Sequence, residues 1–151
     1  MRYHQSIWNL LIKLNKMELT ARALQESDWD TLQEWWTKWN WPQMNKDLLP
    51  LNGTGGLIVC KGDIPIVSGF LYLTNSKVAW MEWIISNQDY READRKEALE
   101  MLILGLEQVA LSVDKTIILS VGRNTGLIDM HKKLGYTVDK KHSYEISKKL
   151  I

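Results

Sequence analysis

The chain has 151 residues, 45% hydrophobic and 25% charged, with a formal net charge of +1. That composition suits one globular domain with a core of its own and excludes disordered, collagen-like and low-complexity classes. The single cysteine, Cys60, excludes a disulfide framework and a cysteine-rich zinc site, and the near-zero charge gives no general pull toward nucleic acid or an anionic membrane.

Residues 1–16 carry Arg2, Lys13 and Lys16 around the apolar stretch Ile7-Trp8 and Leu10-Leu11-Ile12. Asn9 and Lys13 interrupt that stretch and no small-residue cleavage site follows, so it reads as an N-terminal extension rather than a secretory signal. No apolar run approaches the roughly 20 residues that cross a bilayer. A single domain is expected over 17–151, in the cytoplasm and with no membrane partner.

Leu19 to Leu24 alternates and predicts a strand. Ser27-Asp28 is a helix start signal, and Trp29, Leu32, Trp36 and Trp39 recur at helical spacing until Pro42. Four of the eight tryptophans, Trp35, Trp36, Trp39 and Trp41, fall within seven residues of one another here. Trp35 and Trp41 fall off the expected buried stripe. They are candidates to line a ligand pocket by cation–π contact, to meet a partner, or simply to pack.

A loop, with a short second helix, leads to the glycine-rich turn at Gly53–Gly56. Three strands are predicted next: Leu57–Lys61, Ile66–Leu73 and Val78–Ser86. The tight turns between them imply an antiparallel meander. A long helix is expected over 89–112, then a continuous apolar strand from Thr116 to Val121, read as central and covered on both faces. A helix over Asn124–Leu134 closes at Gly135, and Tyr136–Val138 and Tyr144–Ile146 are the last strand signals. The expected fold is α/β or α+β, a mixed and mostly antiparallel central sheet of six to seven strands flanked by helices.

This order, with the segment from Asn124 to Tyr136, resembles the GNAT superfamily of acyl-CoA-dependent N-acetyltransferases. NTGLIDMHKKLGY is similar to the family pattern N-x-x-A-I-x-L-Y-E-K-x-G-F, with Asn124, Ile128, Lys133 and Gly135 matching. The resemblance implies acetyl-CoA as donor, no metal, and a small-molecule or peptide amine as acceptor. It further implies a homodimer as the common assembly.

The resemblance also implies roles for residues. Ile84, Ile85 and Ser86 would meet the cofactor's pantetheine arm through their backbone, where the strand splays from its neighbour. The family's pyrophosphate loop, Q/R-x-x-G-x-G/A, falls between Ser86 and the long helix, where this chain has no glycine. Started at Arg91, the pattern puts Asp94 and Lys96 at the glycine positions; started at Arg95, it puts Ala98 and Glu100 there. Arg91, Arg95 and Lys96 could replace glycine by charge-assisted contacts to phosphate, and a solvated charged helix face is the other reading.

Glu82 stands where family members often place a catalytic base. Flanked by Trp80, Met81, Trp83 and Ile84, it would have a raised pKa if desolvated; as one face of an alternating strand it would meet solvent. His131 stands at the family's tyrosine, the proton donor to the leaving thiolate, with Ser120 and Tyr136 as weaker alternatives. Asn124 either touches the cofactor or caps the helix it precedes. The glycine-free loop and the missing tyrosine leave a second reading open: a GNAT-like module without catalysis that serves binding or host interaction.

Overall fold

The computed structural model describes residues 18–151, so the expected extension at 1–16 lies outside the described residues. The chain divides into two compact units, one ending at Val121 and one running from Gly122 to Ile151.

The first unit is built from β1 (Leu19–Ala23), α1 (Trp29–Lys38), β2 (Gly56–Lys61), β3 (Ile64–Leu73), β4 (Val78–Ser86), α2 (Arg95–Ser112) and β5 (Ile117–Ser120). The strands form one sheet in chain order, antiparallel from β1 to β4, with β5 parallel to β4. Gly62 turns the β2–β3 hairpin at a φ of 58°, a left-handed conformation that glycine adopts without a side-chain clash.

The two helices cover opposite faces. Leu32, Trp35 and Trp36 of α1 pack with Ile58, Cys60, Phe70 and Ile85 of the sheet. On the other face α2 packs on β2 and β3 through a stripe that includes Leu102 and Leu106. Both stripes follow the i, i+3, i+4 spacing that puts apolar residues on one side of a helix. The α1 stripe is turned from the expected one: Trp35 is 3% exposed and Trp39 is 41% exposed. Arg22 fixes the entry to α1 with two hydrogen bonds to the Asp28 carboxylate, both at 2.8 Å, and Asp28 also accepts the Gln25 N–H.

Two expectations are corrected in this unit. The long helix begins at Arg95, not at Asp89. The Asn87 side chain accepts the Asp89 N–H and donates to the Pro65 carbonyl, so the chain turns there instead of coiling. β5 is the edge of the described sheet rather than a central strand, and Ile117 on it is 54% exposed. A continuous apolar run does not distinguish a strand covered twice from one covered once.

The second unit contains α3 (Thr125–Lys133). The Asn124 side chain accepts the Leu127 N–H at 2.8 Å and caps the helix. Gly135 follows it at a φ of 91°. The expected strands at 136–138 and 144–146 do not form, and Tyr144 and Ile146 are exposed. Three alternating residues beside a run of charge, Asp139-Lys140-Lys141, are a weak strand signal without a ladder to join. The described sheet therefore has five strands, not six or seven.

Candidate active site

β4 is longer than its parallel partner. Pairing with β5 runs from Val78↔Ile117 to Met81↔Ser120 and stops, while β4 continues through Ser86. Past Met81 the pairing with β5 ends, and in that length of β4 the Ser86 carbonyl accepts the Trp39 indole N–H at 2.8 Å. The Asn87 N–H reaches back to the Ile66 carbonyl on β3. By the alternation of an extended chain, Ile85 then also faces β3, and Ile84 and Ser86 face the open side.

The open stretch begins at a bulge. Ser68 pairs with Ile85 and Phe70 with Glu82, so Gly69 alone opposes Trp83 and Ile84. Trp83 takes a φ of 57°, a left-handed conformation that is costly for a bulky side chain. Packing holds it there. Its indole N–H donates to the Tyr72 hydroxyl at 3.1 Å, Tyr72 donates to the Leu48 carbonyl at 3.0 Å, and its ring meets Trp41 edge-on at 6.1 Å. A Cβ at residue 69 would lie 3.2 Å from Ile84 and 3.3 Å from Leu106, so those side chains would have to give way by a few tenths of an ångström.

Glu82 pairs across the sheet with Phe70, and Trp80 with Tyr72, so all four side chains share the α1 face. Burial pushes the Tyr72 phenol up, the hydrogen bond from Trp83 opposes this, and the charge of Glu82 adds to the rise. Trp41 and Met44 lie at the margin of the same cluster. Trp35 is corrected here: it is buried in that core and does not line an accessible wall.

Beyond β4, Arg91, Arg95 and Lys96 line one open depression with Glu92 and Ala93 at the start of α2. Asp94 precedes the helix without a side-chain capping bond. Its carboxylate is held instead by Lys61 at 2.8 Å and by the Tyr90 hydroxyl at 2.6 Å. Those two bonds keep Asp94 well below the usual carboxylate range. Burial, with Asp94 alongside, pushes the Tyr90 phenol up to about 12.

In the second unit, His131 is 5% exposed, its Nδ1 lies 2.8 Å from the Leu127 carbonyl, and its ring meets Tyr136 edge-on. Among the described residues no group of His, Cys, Asp and Glu is placed to hold a metal ion. No described helix is long and apolar enough to cross a membrane.

Sequence reasoning missed Gly69, Tyr72 and the tie of Asp94 to Lys61 and Tyr90. Periodicity marks none of them, because each acts through a cross-strand or loop-to-strand contact.

The mixed sheet between two helices is shared with solved acetyltransferases. A Trypanosoma brucei acetyltransferase superposes with a TM-score of 0.60 at 16% identity, over 86% of this chain and 100% of that one. AAC(6')-Iy, solved with a bisubstrate analogue, CoA-S-monomethyl-acetylneamine, gives 0.62 at 14% identity over 87% and 99%. An aminoglycoside acetyltransferase from an uncultured soil metagenomic sample, in complex with sisomicin, gives 0.58 at 11% identity over 86% and 97%. At these identities the likeness is one of fold. No protein-family model and no curated protein matches the sequence.

Proposed function

We propose that the protein transfers an acetyl group from acetyl-CoA to a primary amine by direct attack of the amine nitrogen on the thioester. The observation that carries this reading is the length of β4 that runs past its pairing with β5, with Glu82 at its start and a depression lined by three cations beyond its end.

Ile84 offers its main-chain groups, and Ser86 its N–H, to the amides of the pantetheine arm; the Ser86 carbonyl is held by Trp39, and Ile85 backs the strand against β3. The Ile84 N–H would be the main-chain donor to the thioester oxygen as charge develops on it. Arg91, Arg95 and Lys96 neutralise the pyrophosphate. The register that starts at Arg91 is favoured. It ends in the first turn of α2, where N–H groups lack helical acceptors. The register that starts at Arg95 runs into the helix, where Asp94 already accepts the Ala98 N–H. Asp94 stands at a glycine position of the favoured register, and Lys61 and Tyr90 turn its charge away from the anion.

Glu82 takes the proton the amine loses as its nitrogen forms the N–C bond. The C–S bond breaks, and the thiolate leaves and gains a proton, which balances amide and free thiol against amine and thioester. A thiol pKa near about 8.5 makes the thiolate a fair leaving group without a strong acid. His131 is therefore left out of the reaction and reads as packing for α3, and Asn124 reads as its cap. Trp41, not Trp35, belongs to the acceptor wall.

Acetyl-CoA at millimolar concentration should raise the melting temperature, because a ligand that binds only the folded state stabilises it. No shift in a folded sample would overturn the reading and favour a non-catalytic module. Glu82→Gln should keep the shift and lose most of the amine-dependent thiol release; unchanged release would remove Glu82 as the base.

A further inference from the structure

The stretch between β4 and α2 holds three acids, Asp89, Glu92 and Asp94, beside Arg91, and Arg95 and Lys96 open the helix. Every residue from 91 to 96 except Asp94 lines the depression there. The Asp94 carboxylate is committed to other groups. Lys61 meets one of its oxygens at 2.8 Å, and the Tyr90 hydroxyl donates to the other at 2.6 Å.

Lys61 reaches this point from a distant part of the chain. It is the last residue of β2, in register with Leu19 of β1 and Ile64 of β3, so the sheet fixes its backbone on both sides. Tyr90 is buried, and its N–H donates to the Asn87 carbonyl. Asn87 in turn donates from its side chain to the Pro65 carbonyl and from its backbone to the Ile66 carbonyl. The loop is thus pinned to the β2–β3 hairpin at Asn87 and again at Asp94. The Lys61 and Asp94 side chains are 21% and 20% exposed, whereas Asp89, paired with Lys38, is 73% exposed. Water and salt screen a charge so shielded less than one at the surface, so the partner it takes matters to an anion nearby.

We propose that Lys61 is a positioning residue of the donor site: through Asp94 it keeps negative charge out of the depression, and so lets a loop without glycine hold the phosphates of CoA. The inference rests on the acyl-transfer reading above. A glycine in an anion-binding turn brings no charge and lets the backbone approach the ligand. Asp94 brings a charge, and Lys61 with Tyr90 holds it aside. Arg91, Arg95 and Lys96 then line the depression with Glu92 as the one acid among the lining residues. Lys61 itself does not line it, so its effect on the anion passes through Asp94.

Calorimetric titration with CoA, without an amine and without turnover, tests this. Lys61→Met should weaken CoA binding about tenfold, and the loss should shrink as salt is raised. Asp94→Asn removes the acid and keeps the cation, so it should tighten CoA binding about threefold. The double variant should recover most of the loss. A tie that only holds the loop in place predicts weaker binding for Asp94→Asn and no recovery in the double variant, and that result would overturn the proposal. Tyr90→Phe removes the second bond to the carboxylate and should weaken CoA about threefold, which serves if Lys61→Met does not fold.

Inorganic pyrophosphate, titrated in the same way, separates the two readings. If pyrophosphate follows the pattern of the variants and CoA binds no more tightly than pyrophosphate, the role of Lys61 at an anion site is upheld and the acetyltransferase is overturned. CoA binding that Lys61→Met leaves unchanged would overturn the role of Lys61 and spare the acyl-transfer reading. Binding of neither ligand would overturn both.

Discussion

Trp39 donates its indole N–H to the Ser86 carbonyl at 2.8 Å, which ties the end of α1 to the last residue of β4. Gln88 donates to the Lys38 carbonyl and Lys38 pairs with Asp89, so the tie continues past the strand. The helix that carries the tryptophans is thereby fastened to the length of β4 that runs past β5.

Trp39→Phe keeps most of the ring and removes the donor. Ser86 would exchange its indole for water at a half-exposed site, so a loss of about 1 kcal/mol in unfolding free energy is expected. Urea denaturation with an unchanged slope checks this, and a change below the error of the fit would show that the bond contributes nothing net.

Gly69→Ala tests the bulge. The new methyl would meet Ile84, Leu102 and Leu106 at 3.2 to 3.4 Å, and both leucines are fully buried. Overpacking of this kind costs about 1–3 kcal/mol, and here it also pushes on the open stretch of β4. A lower melting temperature together with a smaller acetyl-CoA shift is expected. A lower melting temperature with the full shift would separate the bulge from cofactor binding.

The stability of the first unit should fall in acid through two carboxylates. Arg22 holds Asp28, and Lys61 with Tyr90 holds Asp94, below the ordinary value of 3.8. A carboxyl depressed in the folded state contributes stability above its unfolded pKa, and that contribution is lost as pH falls through the folded value. The urea midpoint of the native protein should therefore drop below about pH 4, the ordinary carboxylate range. Asp28→Asn should start lower at pH 7 and drop less. Parallel curves for the two proteins would show that Asp28 does not carry the acid transition.

Local pattern made the order of elements legible. The alternation at Leu19–Ala23, the Gly62-Asp63 turn and the Asn124 cap each rest on neighbours in sequence, so the sequence specifies them directly. The α1 stripe was read one position off. Trp35, Trp36 and Trp39 are all apolar, and spacing alone does not choose between two overlapping faces of one helix. The choice falls to the sheet, whose core cluster with Phe70 and Ile85 takes in Trp35 while the Ser86 carbonyl holds the Trp39 indole N–H.

The candidate site divides along the same line. By itself the sequence determined the chemistry on offer: one acid in three strands, a tryptophan-rich first helix, and three cations, Arg91, Arg95 and Lys96, about the glycine-free start of a long helix. The tertiary structure alone decided how these meet. It ended β5 early beside β4, set Gly69 against two residues, turned Trp83 into a left-handed conformation, and tied Asp94 to Lys61. Each of these depends on contacts between residues far apart in the chain, where packing space rather than local preference selects the outcome.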